Sequence, residues 1–315
     1  MLDIRQGDCL ELLRTLDDKS VQTIYLDPPF NSGRTYKMDA HGGVGFDDKW
    51  TDETYKAFIT QVVNLCVPLL KPTGSLFFHI SADQMFIPEC VLREAFKEVV
   101  PIFWKRCRSK NNVKHCLGAS VDVIFWCSMS PRRKFNLVYQ PKDEYYEKNS
   151  FKNADARGNF ALGHLVCDKT MKGHAYEFEI GGTTFNPAKG WRMPKSDLEA
   201  LRTDDRLYVP KKAGSNLYKK IYLHESHGKP AMDLWDDVFS IAQGAEERKY
   251  PTAKPVKLLE RIVDMTTDEG DTVLDPMAGS GTTGLACKNK NRNCIMFDKN
   301  ADAIKIIRDR FAATE

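Results

Sequence analysis

Apolar and polar positions along the first 130 residues follow two alternating periods. Residues 2–5 alternate as a short strand does, and 9–16 fit a short helix. Val21-Gln22-Thr23-Ile24-Tyr25-Leu26 is rich in β-formers and predicts a strand that stops at Asp27. Between 54 and 70, Phe58, Val62, Leu65 and Leu69 recur at helical spacing, and Pro72-Thr73-Gly74 breaks the run. A buried-type strand over 75–80, a helix over 82–97 and strands over 99–105 and 121–127 follow. From 128 to about 248 the texture changes: Gly, Lys, Asn and Tyr are frequent and periodicity is weak. Order returns at 250. A helix over 255–266 opens on Pro255, a favoured first-turn residue. A strand over 272–274, a helix from 282, a strand over 294–297 ending at Asp298, and a helix over 301–311 complete the chain.

Strands alternating with helices predict an α/β fold, doubly wound around a mostly parallel sheet. Such sheets bind ligands at the carboxyl ends of their strands, where Asp27, Asp275 and Asp298 fall. The organisation expected is one domain in two parts, 1–130 and 249–315, with a region over 131–248 inserted between them. Residues 31–50 form a long polar loop with Gly33, Gly42, Gly43 and Gly45, of the kind that serves as a lid.

Composition adds little until it is divided along the chain. The net charge is +3, with 42% hydrophobic residues. Between 101 and 230, however, 24 Lys and Arg face 13 Asp and Glu, a net of +11. A basic middle between acidic ends suggests a polyanionic partner. Nine cysteines without any Cys-x-x-Cys spacing read as reduced structural thiols, with no metal site expected. The first residues carry no signal-peptide pattern, and no apolar stretch reaches membrane-spanning length, so a cytoplasmic protein is expected.

Two motifs carry the chemistry. Gly279-Ser280-Gly281-Thr282-Thr283-Gly284 fits GxGxxG at a strand-to-helix turn, where missing Cβ atoms let the backbone approach a ligand. Asp298, 19 residues after Gly279 at the next strand end, suits ribose hydroxyls. Leu285 after the last glycine excludes a phosphate loop of the GK[ST] type. A nicotinamide dinucleotide is the rival ligand. Asp275-Pro276 favours S-adenosylmethionine, because it sets a carboxylate where a cofactor ammonium could sit. Thr252 and Lys254, before the helix at Pro255, offer a hydroxyl and a cation for its carboxylate. The second motif is Asp27-Pro28-Pro29-Phe30. Its prolines fix φ and remove two donors, leaving the Asp27 carboxylate and the Pro28 carbonyl to accept from one amino group. Phe30 offers a flat surface on which a heterocycle can stack.

Together these motifs resemble the amino-methylating DNA methyltransferases of the β class, in which the catalytic half precedes the cofactor half. The resemblance rests on Gly7-Asp8, Asp27 to Phe30, Thr252-x-Lys254-Pro255, Asp275 to Gly284, and Asp298. Asp155-Ala156-Arg157-Gly158, Gly190-Trp191-Arg192 and Asp233-Leu234-Trp235-Asp236-Asp237 add to it. It implies a circularly permuted, seven-stranded, Rossmann-like sheet in which 1–130 is catalytic, 131–248 recognises DNA and 249–315 binds S-adenosylmethionine. It implies methyl transfer to N6 of an adenine flipped from duplex DNA, with cytosine N4 as the alternative. Asp27, Pro28, Pro29 and Phe30 would be catalytic. Asp8 (at the adenine of the cofactor), Asp27, Thr252, Lys254, Asp275, Met277, Ala278, Gly279, Ser280, Gly281, Thr282 and Asp298 would hold the cofactor. A cognate restriction endonuclease and a homodimer are partners the family allows, in a prokaryotic or phage-type protein. The chain departs from the family pattern at Met277, where Phe is common, and at Phe30, where Tyr is common. It also lacks the histidine that often precedes Asp122. A dinucleotide-dependent oxidoreductase or a non-catalytic DNA-binding protein would each explain only one of these features.

Overall fold

In the computed structural model the described residues are 1–35, 47–107, 115, 117–168, 170–212, 214–239 and 253–312. They fall into two units, Met1–Val138 with Pro230–Glu315, and Tyr139–Lys229.

The first unit is built on an eight-stranded sheet. Its strands in chain order are β1 (Leu2–Gln6), β2 (Val21–Leu26), β3 (Leu70–Ser81), β4 (Glu98–Lys105), β5 (Val121–Ser128), β6 (Leu234–Trp235), β7 (Thr272–Asp275) and β8 (Asn293–Asp298). They lie in the order β1-β8-β7-β2-β3-β5-β4-β6. Every neighbouring pair is parallel except β3 with β5 and β5 with β4. Seven strands form the doubly wound sheet, and the two-residue β6 adds an edge.

Continuous apolar runs become the central strands because both faces of the sheet are covered. All six residues of β2 are buried, and one core cluster lies on each side. On one face the helix Asp52–Leu69 packs Ile59, Val62, Val63 and Cys66 against the sheet. That stripe is rotated from the expected one, and Phe58 and Leu65 sit only at its margin. The helix starts two residues earlier than its spacing suggested, because Thr51 and Thr54 form a capping box. On the other face lie the helices Val256–Thr266, Thr282–Asn289 and Ala301–Ala312. Here the Thr266 and Thr23 hydroxyls meet at 2.8 Å, tying the first of these helices to β2.

Two boundaries move for local reasons. Pro72-Thr73-Gly74 does not separate helix from strand. It lies within β3, where the pairing with β2 slips between Val21↔Leu70 and Thr23↔Ser75. The helix expected over 82–97 is the shorter Phe86–Ala95, because Ser81 closes a turn onto Gln84 first.

The chain beginning joins the chain end through this sheet. The Met1 ammonium donates to Asn293 Oδ1 at 2.8 Å, and β1 pairs with β8 along its whole length. Residues 313–315 lie outside the described residues.

The second unit holds a four-stranded antiparallel sheet, ordered Leu207–Tyr208, Tyr218–Tyr222, Gly158–His164, Asn153–Asp155. A hairpin (Phe178–Ile180 with Thr183–Phe185) and the helix Lys195–Thr203 accompany it. Its own small core includes Leu165, Phe178, Trp191 and Leu198. Gly190 (φ +78°) is required there. A Cβ would lie 2.8 Å from the Gly173 backbone, and the tight turn delivers Trp191 fully buried. The flanks of this region belong to the first unit. Asn136 donates to the Asp264 and Thr267 carbonyls, and Asp237 pairs with Arg261.

Candidate active site

Strands β1, β8, β7 and β2 are parallel neighbours, so their carboxyl ends share one edge. A cavity of about 710 Å³ opens there, within the first unit. Asp8, Asp298, Asp275 and Asp27 line it, one from the end of each strand or the residue pair after it. Phe30, Lys254 and the glycine loop line it too.

The glycine loop is shaped by its own backbone. Gly279 and Gly281 have φ of +52° and +74°. A Cβ on Gly281 would lie 2.9 Å from Ile307, and one on Gly284 would lie 2.4 Å from Met296. Both glycines therefore let the helix Thr282–Asn289 sit close to the sheet. Asp298 fixes the loop: its two oxygens accept from the Gly279 and Asn300 amides, each at 2.8 Å. Burial raises its pKa, against those two donors.

Asp275 is fully buried. Thr283 donates to one oxygen at 2.5 Å, and the Met277 amide to the other at 3.1 Å. Burial pushes the carboxyl up to about 7, and the nearby charges of Asp27 and Asp298 add to this. Asp8 caps the helix Cys9–Leu12 by accepting from the Leu10 amide at 2.9 Å, and still faces the cavity. Met277, Ala278, Ser280 and Thr282 also line the cavity. Ser280 and Thr282 hydroxyls pair at 3.2 Å.

Asp27 ends β2 in an asymmetric state. Lys254 binds its Oδ2, and the same ammonium lies 5.4 Å from the centre of the Phe30 ring. The other oxygen, Oδ1, is buried and has no hydrogen-bond partner among the described residues. Lys254 thus stands at the Asp-Pro-Pro-Phe motif itself. Thr252, expected beside it, lies outside the described residues. Pro28 is buried, and the Pro29 carbonyl accepts from the Tyr55 hydroxyl at 2.9 Å.

Asp48 shapes this site without having been singled out by sequence. Its carboxylate, almost fully buried, accepts from three successive amides, Phe30 at 3.2 Å, Asn31 at 2.8 Å and Ser32 at 2.9 Å. Asn31 turns the chain at φ +56° and takes the Trp50 amide on its Oδ1. This nest fixes the exit from the Pro-Pro turn and hence Phe30. Trp50 in turn stacks on Phe58 at 5.1 Å. Of the loop expected over 31–50, the ends pair as the short strands Arg34–Thr35 and Asp47–Asp48, and residues 36–46 lie outside the described residues.

The cations of the basic middle differ in their surroundings. Lys220 is an internal cation, 2.8 Å from Asp155 and 3.1 Å from Asp205. Lys134 pairs with Asp268 and Asp271, and Arg133 lies 3.7 Å over the Trp126 ring. Arg132, Lys211 and Lys212 are exposed. Most of the excess charge falls before the second unit. Between 139 and 229, 16 Lys and Arg face 12 Asp and Glu, a net of +4. The remaining +7 falls between 101 and 138, with 8 against 1. No group of residues able to hold a metal ion occurs among the described residues, and no helix there is long and apolar enough to cross a membrane.

The family model described as DNA methylase, that of the N6/N4 methyltransferases, matches residues 21–309, and the chain belongs to this family. It is 26% identical over 301 residues to the Type II methyltransferase M.EcaI of Enterobacter cloacae, covering 94% of this chain and 66% of that protein. It is 24% identical over 303 residues to the DNA adenine methyltransferase YhdJ of Escherichia coli (strain K12), covering 96% and 80%. The chain spans about half to two thirds of the length of the first curated relatives it matches. Among solved structures, the PvuII cytosine-N4-specific DNA methyltransferase superposes with a TM-score of 0.57 at 14% identity, covering 98% of this chain and 86% of that one. A DNA modification methylase of Thermus thermophilus, complexed with S-adenosyl-L-methionine, gives 0.51 at 17% identity, covering 99% and 95%. At these identities the likeness is one of fold.

Proposed function

We propose that this chain transfers a methyl group from S-adenosylmethionine to the exocyclic amine of a DNA base, N6 of adenine in the first instance. The observation that carries the reading is the orphaned Oδ1 of Asp27 at the wall of the cavity. A buried acceptor without a donor is costly, and an amino hydrogen of a substrate base satisfies it. The cavity fits the cofactor: its volume lies in the range of small-molecule sites, and four carboxylates suit a ligand with a sulfonium and an ammonium. When bound, S-adenosylmethionine supplies an electrophilic methyl group on sulfur. Asp298, Asp8 and the loop from Met277 through Thr282 would hold its nucleoside end, and Asp275 would take its cationic end. Thr252 belongs to the same proposed cradle.

Asp27 and the Pro28 carbonyl accept from the amine and turn its lone pair toward the methyl group. Transfer of that methyl to the nitrogen would leave a neutral thioether and a proton on the amine, and Oδ1 of Asp27, which accepts the amino hydrogen, would pass that proton to solvent. Lys254 holds Oδ2 and so aims Oδ1 into the cavity. Phe30, fixed by the Asp48 nest and tilted against His79 with ring centres 5.7 Å apart, offers its ring to a base flipped from the duplex. The acid at the first catalytic position and the adenine activity named for YhdJ favour adenine over cytosine. The region over 131–248 is the candidate for recognising double-stranded DNA. A cognate restriction endonuclease and a cytoplasmic setting belong to the same proposal.

The test is methyl incorporation into varied duplex DNA, followed by digestion and mass spectrometry of the nucleosides. N6-methyladenine is expected from the wild-type chain. Asp27→Ala should lose roughly 10²–10³ in rate or more while S-adenosylmethionine still binds. Methylation at N4 of cytosine alone would overturn the adenine assignment. Near-normal turnover in the variant would overturn the role of Asp27.

A further inference from the structure

Behind Asp27 stands a histidine that the reaction scheme above leaves unused. His79 lies on β3, is fully buried, and is boxed by Trp104, Phe30 and Tyr25 at ring distances of 5.4, 5.7 and 6.2 Å. Its two ring nitrogens have different partners. Nε2 lies 3.3 Å from Asp122 Oδ2, and Nδ1 lies 2.7 Å from the Tyr25 hydroxyl. Asp27 Oδ1 is 3.9 Å from the same Nδ1.

The hydrogens in this chain can be assigned. Burial opposes charge on Asp122, but the bond from His79 and the Arg106 guanidinium at 3.3 Å outweigh it, and its pKa lies below the ordinary value. Asp122 is therefore ionised and accepts only, so Nε2 carries a hydrogen. Burial, and after it the Lys254 charge, lower the His79 pKa despite Asp122 and Asp27, so the ring is neutral. Nδ1 is then an acceptor, and the Tyr25 hydroxyl donates to it. This is also why the 3.9 Å approach to Asp27 is no ion pair.

Tyr25 and Asp27 are two positions apart at the end of one strand, and their side chains share a face. A tyrosine hydroxyl so placed is a ready donor to the carboxylate. We propose that His79 is a positioning residue: its Nδ1 captures the Tyr25 hydroxyl and so reserves Asp27 Oδ1 for the amine of the substrate. The inference rests on the amine-methylation reading above. It explains how a buried carboxylate oxygen stays without a donor although the Tyr25 hydroxyl meets the same imidazole nitrogen that faces it.

Two substitutions separate this role from a structural one. His79→Gln keeps a donor for Asp122 but has no acceptor at the Nδ1 position. His79→Asn sets its amide oxygen at the Nδ1 position and gives up the bond to Asp122. His79→Gln should lower kcat about 10–100-fold, the scale of one charge-assisted hydrogen bond, with S-adenosylmethionine affinity within about threefold. His79→Asn should stay within a few-fold of wild type. Adding Tyr25→Phe to His79→Gln removes the competing donor and should raise kcat about tenfold over the single variant. A merely structural histidine predicts the reverse order, because Asn leaves Asp122 and Arg106 without their partner. Loss in His79→Asn as deep as in His79→Gln, failure of His79→Asn to fold, or no rescue by Tyr25→Phe would each overturn the proposal. Nitrogen NMR of 15N-histidine-labelled wild-type protein gives a readout free of activity. The Nε2–H tautomer is expected throughout pH 6–8, and an Nδ1–H or doubly protonated ring overturns the proposal. Absent methyl transfer with that tautomer intact would count against the DNA reading and not against the Tyr25–His79 pairing.

Discussion

Replacing Asp275 by Asn tests the electrostatics of the cavity directly. The carboxyl is fully buried, and its pKa stands at about 7 against an ordinary 3.8. Burial is the main cause. Asp27 and Asp298 add to it, while the Thr283 hydroxyl and the Met277 amide oppose it. A group whose pKa is raised on folding holds its proton in the native chain after the unfolded chain has released it. Stability is therefore highest below pH 4 as far as this group is concerned, falls as pH rises, and levels off above about pH 7. At about 1.36 kcal/mol per pH unit the loss is roughly 4 kcal/mol, and nearer 2 kcal/mol where cavity water solvates the anion. Asp298 acts in the same sense, its pKa also raised by burial. His79 acts in the opposite sense below about pH 6.5, since burial lowers its pKa. The wild-type profile is thus a composite, and the difference between Asp275→Asn and wild type isolates the one group. Asn keeps an acceptor for the Met277 amide and can donate to Thr283. The assay is urea unfolding from pH 4 to 8. Asp275→Asn should match or fall below wild type at pH 4 and exceed it by roughly 2–4 kcal/mol at pH 8. A difference that does not change with pH would refute the reasoning, because it would mean that the carboxyl titrates normally. A cationic cofactor should favour the ionised form, so its affinity for the wild-type chain should rise through pH 7 and that of Asp275→Asn should not.

Three further outcomes follow from local geometry. Asp48→Ala leaves the Phe30, Asn31 and Ser32 amides without their acceptor; about 1–3 kcal/mol of stability and most of the turnover should be lost, with cofactor affinity retained, as calorimetry and steady-state kinetics would show. Gly281→Ala forces a Cβ to 2.9 Å from Ile307 at φ +74°, so thermal melting should report a loss of about 1–3 kcal/mol and the cofactor should bind more weakly. Lys211→Ala with Lys212→Ala, both residues being exposed, should lower the salt slope of DNA binding by up to about two. Lys220→Ala should instead destabilise the chain and leave that slope unchanged, because Lys220 is committed to Asp155 and Asp205.

Much of the sheet is legible in the sequence because its strands are covered on both faces. Val21 to Leu26 and Val121 to Ser128 read as β-rich, largely apolar runs for that reason, with Gln22, Thr23 and Asp122 among the polar exceptions. The glycine loop is legible because backbone conformation dictates residue type, as at Gly279 and Gly281. Asp48 is not, since nothing local shows that a carboxylate 18 residues after Phe30 folds back onto its amide. His79 is hidden for the opposite reason: inside an apolar run it passes for an ordinary strand residue. Its meaning appears only with the register of β3 against β5. That pairing sets Ser81 opposite Asp122 and His79 opposite Ile124, so an imidazole from the neighbouring strand reaches Asp122. The histidine missing from the position before Asp122 has a counterpart there in space that no linear motif records. The basic middle fails in another way. A charge count over 130 residues merges the segment 101–138 with the inserted unit, and salt bridges within that unit neutralise cations such as Lys220 and Arg206.

The permuted chain order follows from how the cavity is assembled. Four carboxylates, Asp8, Asp298, Asp275 and Asp27, stand at the ends of β1, β8, β7 and β2, which are consecutive across the sheet. Parallel neighbours lie about 4.8 Å apart, so the row runs roughly 14 Å from one end to the other. That span suits the proposed cofactor, an extended nucleoside with an amino-acid tail, with Asp27, the proposed acceptor of the amine, at its far end. Between β1 and β8 the Met1 ammonium meets Asn293 and the Gly7 amide donates to the Asp298 carbonyl at 3.0 Å. The parallel ladders set the spacing of the row, whichever strand comes first in the chain. The two halves of the proposed reaction, Asp275 with its loop and Asp27 with its turn, meet on adjacent strands through Val273↔Thr23 and Leu274↔Ile24. In the proposed reaction, strand register within the first unit brings cofactor and amine together. Substitutions that shift β7 against β2 should therefore damage cofactor affinity and turnover together.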